Sequence, residues 1–496
     1  MNRPLSAALV AILPLLASSG ARAGDWRDKV DPWLLDKMGT SPAEFIVLLR
    51  DQADLRPARA LLSKQEKGRL VYETLRKTAE TTQAPVLATL RAQKVEHRAY
   101  WVANMIWVKG ERAVVEAMAM RDDVARVYAN PKVRFAEPRL AAGLRSPDAI
   151  EWNITKVKAD QAWALGYRGS GAVIAGQDTG YDWDHPALQG KYRGWSGSSA
   201  NHNYNWHDSI HSGGGSCGAN STQPCDDNGH GTHTMGTMAG DDGGNNQIGM
   251  APDAKWIGCR NMDQGDGTPA TYSECFQFFL APTDLTGANP NPALAPDVIN
   301  NSWGCPPSEG CTDPNVLRTI VENTRAAGIV PVVSAGNSGS SCSTVVDPAA
   351  IYDASFSVGS TTSSDAVSSF SSRGPVTIDS SNRLKPDISA PGSGVRSSLP
   401  GTGYGSMSGT SMAGPHVAGL VALVISANNN LAGRVGQIER IVRRTAFTGI
   451  TTVQTCGGTP TSQIPNNTFG YGRIDALAAT QAAADWIFAD GFDPDI

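Results

Sequence analysis

Three short segments carry residues that could act together on an acyl group: Gln177-Asp178-Thr179-Gly180, Asn228-Gly229-His230-Gly231-Thr232-His233 and Gly409-Thr410-Ser411-Met412-Ala413-Gly414-Pro415. A serine hydroxyl is a weak nucleophile at neutral pH. It needs an imidazole to accept its proton, and the imidazole needs a carboxylate to hold its tautomer and stabilise its cation. Each segment offers one of these groups among glycines, which let one backbone approach another closely. Ser411 opens an expected helix over 411–426, whose N-terminal N–H groups and partial positive charge suit a developing oxyanion. Alone, Ser411 would read as a helix cap; beside the other two segments it reads as a nucleophile.

Neighbouring groups compete for these roles. Asp182, Asp184 and His185 lie close to Asp178, but only Asp178 sits at the end of an expected strand. The His230-x-x-His233 spacing hints at zinc, yet the zinc peptidase pattern requires Glu after the first His, and Gly231 stands there.

In the chain order Asp…His…Ser, these segments resemble the subtilisin-like serine proteases, or subtilases. The resemblance makes Ser411 the nucleophile, His230 the general base and Asp178 its orienting carboxylate, and leaves His233 and His416 structural. Val333-Ser334-Ala335-Gly336-Asn337-Ser338-Gly339 is similar to the family's oxyanion loop, with Asn337 as side-chain donor and the Ser411 N–H as the second donor. Asn301-Ser302-Trp303-Gly304 resembles the family segment that pairs with an extended substrate. Ser302, Trp303, Gly304, Ala335 and Gly336 are thereby implied to line the pocket for the residue before the cleaved bond. Trp303 is bulkier than many members carry and is expected to reshape that pocket. The runs 370–375 and 385–392 resemble scaffold segments, so the likeness covers most of 150–480. The run 246–252, with 300–304, looks like bacillopeptidase F-type members.

The resemblance implies an exported serine endopeptidase, made as a zymogen and self-processed, that acts on protein or peptide substrates and has its own propeptide as inhibitor. One departure stands out: 240–247 is short where many subtilisins carry a longer calcium-binding loop. No cofactor is expected for the chemistry, and structural calcium is not readable; Asp241 and Asp242 read as acidic surface. A catalytically dead binding domain would not need Asp178, His230, Ser411 and Asn337 intact. An acid-active sedolisin-type enzyme would have a carboxylate in place of His230 and Asp in place of Asn337, and has neither here.

The elements that must position these residues follow from the rest of the chain. Its 496 residues suggest two or three units, and 41% hydrophobic residues suffice for a packed core. A net charge of -5 gives no reason to expect nucleic acid or an anionic membrane as partner. Residues 1–23 read as a signal peptide: Arg3, an apolar stretch at 5–17, and Ala21-Arg22-Ala23 as cleavage site. That stretch is too short to span a bilayer and no later stretch approaches spanning length, so a secreted chain without a membrane anchor is expected. Residues 24–137 are charge-rich and alternate strands (44–49, 101–108, 124–135) with helices (57–93, 111–120), predicting a small α+β domain whose position is similar to a subtilase propeptide. Residues 138–149 have linker composition and mark the expected maturation region.

From 150 to 482, apolar strands at 172–176, 256–259, 298–299 and 329–333 alternate with helical stretches such as 316–327. This predicts an α/β peptidase domain with a parallel sheet flanked by helices, with Asp178, Asn301-Ser302 and Asn337 near the carboxyl ends of strands. Residues 483–496 form a tail of aromatics and acids, expected to dock on the surface. The eight cysteines (Cys217, Cys225, Cys259, Cys275, Cys305, Cys311, Cys342 and Cys456) all lie in the peptidase region. An even number in an exported chain implies disulfides. Proximity favours Cys217–Cys225 and Cys305–Cys311, and the lack of any Cys-x-x-Cys pair argues against a metal cluster.

Overall fold

The computed structural model describes residues 25–39, 41–134, 139–141 and 150–486. The expected signal peptide, most of the linker and the tail from 487 lie outside the described residues.

The N-terminal unit is a four-stranded antiparallel sheet in the order Glu96–Tyr100, Met105–Gly110, Ala43–Leu49, Val124–Ala129. Side chains alternate between the faces of a strand. Phe45 and Val47 accordingly join Val86, Leu90 and Val115, from the helices Ala84–Ala92 and Arg112–Ala119, in a core of the unit's own. Ile46 points the other way, into a core shared with Val71 and Leu75 of the helix Lys64–Thr82 and with Phe276, Phe279 and Ile320 of the peptidase unit.

Two strands differ from expectation. The apolar run 101–108 turns at 101–104, where Asn104 is left-handed (φ 47°), and the preceding Glu96–Tyr100 pairs back as an extra strand. Its charged residues hid it from a reading based on apolar runs. The last strand stops at Ala129, before Pro131. The chain resumes as Val133–Arg134 and pairs with Asp266–Gly267 of the peptidase unit rather than with its own sheet.

The peptidase unit is built on a seven-stranded sheet in the order Ile388–Pro391, Phe356–Thr361, Val330–Ser334, Val298–Asn301, Val173–Asp178, Lys255–Arg260, Trp206–Asp208, parallel throughout. A parallel sheet must be covered on both faces. Ile174, Val298 and Val332 pack toward the helices His230–Ala239 and Thr410–Ala427. Their neighbours Ala175, Ile299 and Val333 pack toward Pro269–Leu280 and Arg318–Ala326. Thr410–Ala427 is long and apolar enough to cross a membrane, but 89% of it is buried inside the protein, as the central helix of this layer. The helix Ala476–Ala484 packs against it and runs past the expected domain end at 482.

Four disulfides clip this unit: Cys217–Cys225, Cys259–Cys275, Cys305–Cys311 and Cys342–Cys456. The first and third are the pairs that proximity favoured. The other two join residues brought together by the fold, the last across a sequence separation of 114.

Candidate active site

Asp178 is the last residue of its strand, and His230 is the first of the helix His230–Ala239. Asp178 Oδ1 lies 2.6 Å from His230 Nδ1, and both side chains are buried. The Thr179 N–H donates to Asp178 Oδ1 (2.8 Å) and the Thr234 hydroxyl to Oδ2 (3.3 Å). Every acceptor the carboxylate uses is therefore fixed by the local fold.

Glycine makes the approach possible. A Cβ on Gly180 would lie 1.8 Å from the Cys225 carbonyl, and one on Gly231 would lie 2.0 Å from the Gly180 carbonyl. Gly180 also has φ +112°, a conformation open to glycine and costly for other residues.

Asp226 stitches the same two segments together, and sequence reasoning missed it. Its Oδ1 accepts from the Thr179 hydroxyl (2.8 Å) and the Gly229 N–H (2.8 Å). Its Oδ2 accepts from the Thr232 N–H (2.9 Å) and hydroxyl (2.6 Å), satisfying donors in the first turn of the His230 helix. The available signal was a carboxylate four residues ahead of the histidine, near enough to the start of its helix to accept from the first-turn donors.

Ser411 is the second residue of the helix Thr410–Ala427 and is 3% exposed. Its hydroxyl donates to the Ser302 carbonyl (3.2 Å), and the Ser302 hydroxyl donates to the Ser411 carbonyl (3.0 Å). Asn337 follows the strand Val330–Ser334. Its Oδ1 accepts from both the Thr410 N–H (2.8 Å) and the Thr410 hydroxyl (2.9 Å). A carboxamide that accepts through its oxygen has only Nδ2 left to donate. Asn337 and Ser411 line one cleft of about 130 Å³ with Ser302, Trp303, Gly304 and Gly336.

Ala335 is fully buried behind this cleft rather than among its lining residues. Trp303 lines the cleft, but it is only 4% exposed and its ring stacks on Tyr272 with centroids 3.9 Å apart, so most of its bulk lies in the core.

The remaining histidines of the motifs are structural. His233 Nε2–H donates toward the Val395 and Gly405 carbonyls, and burial pushes its pKa down to about 3. His416 bonds the Met412 carbonyl and Asn153, and burial lowers it to about 4.

The short loop after the His230 helix does not gather ligands for a cation. Asp241 accepts from Gly243 N–H, and Asp242 from Gly244 N–H, Asn246 and Tyr404. Among the described residues no group of three or more His, Cys, Asp or Glu is arranged to hold a metal ion.

Comparison with known proteins agrees with this geometry. Residues 169–472 match the model of the subtilase family of peptidases. The chain is 37% identical over 447 residues to bacillopeptidase F of Bacillus subtilis, covering 86% of this chain but 29% of that protein. It is 33% identical over 322 residues to subtilisin E of B. subtilis, covering 64% of this chain and 71% of that one. It is 31% identical over 385 residues to a thermophilic serine proteinase of a Bacillus species, covering 76% and 77% of the two chains. The matched region contains the Asp178, His230, Asn337 and Ser411 segments, and the chain belongs to the subtilase family.

Proposed function

We propose that this chain is a secreted serine endopeptidase that hydrolyses protein or peptide substrates and removes its own N-terminal unit. The observation that carries the reading is the buried 2.6 Å Asp178–His230 pair at the carboxyl edge of the parallel sheet, on the helix packed against the one that presents Ser411.

With Nδ1–H donated to Asp178, His230 Nε2 is the basic nitrogen. It takes the Ser411 proton as Oγ attacks the substrate carbonyl. The oxyanion is received by Asn337 Nδ2 and the Ser411 N–H, at the positive end of a helix of 18 residues. The protonated His230 then delivers its proton to the leaving amine, and water repeats the sequence to free the enzyme. These steps use three side chains held by the fold, the Asn337 amide, one backbone N–H and water, and require no cofactor.

The self-processing reading rests on how the N-terminal unit reaches the cleft. Val133–Arg134 adds a strand to Asp266–Gly267, and Arg134 lines the cleft with Ser411. Residues 139–141 pair with Ser406–Ser408, which lead directly into the Ser411 segment. The unit thus holds the substrate groove on one side and borders the nucleophile on the other, as an inhibitor and first substrate would. Secretion is supported by the signal-like residues 1–23 and the four disulfides.

The test is Ser411→Ala. The variant is expected to hydrolyse no peptide and to keep residues 25–134 covalently attached, as read by intact mass. Loss of that unit from the purified variant, with no other protease present, would show that processing is not its own.

A further inference from the structure

The cleft is lined by a carboxylate that none of these steps uses. Asp347 lines it together with Ser302, Gly304, Glu309, Gly336 and Ser411. A Cβ on Gly304 would lie 2.8 Å from Asp347 Oδ1, and a Cβ on Gly336 would lie 3.0 Å from Oδ2. The carboxyl group is therefore held between the two backbone segments that flank the substrate position, and it fits because both neighbours are glycines.

Its own bonding is thin. Oδ1 accepts from the Cys305 N–H at 3.1 Å, and among the described residues no Lys, Arg or His forms an ion pair with it. The side chain is half-buried, and desolvation together with the nearby Glu309 charge pushes its pKa up to about 6. An occupant that brings a cation with hydrogen-bond donors favours the ionised form. The cation on the neighbouring N-terminal unit does not do so: the Arg134 guanidinium pairs with Asp266 (3.0 Å), and it is the Arg134 backbone N–H that donates to Glu309 (2.8 Å).

We infer that Asp347 is the specificity-determining residue of the cleft and selects substrates with arginine or lysine immediately before the cleaved bond. The inference rests on Ser411 being the nucleophile.

Peptide amides that differ only at that residue, as Arg, Lys, Gln or Leu, separate the two claims when assayed beside a fluorophosphonate, which reports Ser411 whatever the pocket charge. The enzyme should be labelled, and kcat/KM for Arg and Lys should exceed that for Gln and Leu by about 10²-fold or more, the scale of discrimination by a buried charged partner. In Asp347→Asn the Arg-to-Leu ratio should fall by about the same 10²-fold. Labelled enzyme that favours Leu or Gln, or an Asp347→Asn enzyme that keeps its Arg preference, overturns the specificity inference and leaves the nucleophile standing. Wild-type enzyme that resists the fluorophosphonate overturns the nucleophile, and the inference falls with it. Should Asp347→Asn fail to fold, the wild-type panel decides together with benzamidine, whose amidinium should compete with substrate at millimolar concentration; absence of competition overturns the inference.

Discussion

The catalytic centre and the docking face of the N-terminal unit solve the same problem, holding two pieces of chain together, by opposite means. At the centre the pieces meet backbone to backbone. Gly180 and Gly231 leave no room for a Cβ against the facing backbone, and buried donors and acceptors fix Asp178 and His230. At the docking face a shared apolar core and two short strand pairings are joined by contacts between side-chain tips spread along the edge. Lys64 reaches Asp297 (2.7 Å), Arg126 reaches Asp313 (2.9 Å), and the Tyr100 hydroxyl donates to Glu274 (3.0 Å). Gln277 receives the Trp101 N–H (2.7 Å), and Asn323 donates to the Val102 carbonyl (2.7 Å). A centre built from backbone approach tolerates almost no change. An interface built from dispersed side chains loses little with any one of them and can be released when the chain is cut.

The sharpest separation of the two regions is covalent. Every cysteine lies from Cys217 onward, and Cys342–Cys456 closes the longest loop, with a sequence separation of 114. By the chain-entropy argument its loss removes about 4–5 kcal/mol. Reduction of the full chain is therefore expected to raise hydrogen exchange across the peptidase sheet well before it affects the sheet of residues 43–129. Equal loosening of both regions, or free thiols in denatured unreduced protein, would break the contrast.

Next in size is the oxyanion donor. Asn337→Ala is expected to lower kcat by about 10²–10³ with little change in KM, because the bond strengthens only as the oxyanion forms; the magnitude is that of the corresponding donor in subtilisin itself. Wild-type turnover in the variant would remove Asn337 from the mechanism.

Acid comes third. Burial depresses His233 to about 3 and His416 to about 4, so the unfolded chain binds their protons first. Stability from these two is full above the ordinary histidine pKa of 6.5 and falls as pH drops below it, by about 1.4 kcal/mol per pH unit for each until its folded value is reached. Residues 25–134 carry one histidine, His97. Denaturant titrations at pH 7 and pH 5 should thus show the peptidase unit, not the N-terminal sheet, losing stability.

The smallest effect sharpens the docking side. Arg126→Ala should weaken inhibition by the cleaved N-terminal unit less than about 10-fold, since a partly exposed ion pair contributes about 1 kcal/mol or less. A 10³-fold loss from this substitution would mean that this face too depends on one contact.

The amino-acid sequence by itself determined which groups could do chemistry. A nucleophile, a base, an orienting carboxylate and an oxyanion donor each lie in a short glycine-rich motif, and motif and chemistry are both local properties of the chain. Apolar runs disclosed four of the seven parallel strands, because strands buried on both faces read as continuous Val/Ile segments; Trp206–Asp208, Phe356–Thr361 and Ile388–Pro391 are too short or too rich in Ser, Gly and Asp to read that way. Only the tertiary structure decided what depended on distant neighbours. The polar strand Glu96–Tyr100 exists because Met105–Gly110 folds back beside it. The Trp303 ring stacks on Tyr272, 31 positions away in the chain. Asp226 and Asp347 look like ordinary loop acids in the sequence. One becomes the brace of the Asp178–His230 pair and the other a lining group of the cleft because segments far apart in the chain close around them. A carboxylate's role is set by what surrounds it, and long-range packing alone supplies those surroundings.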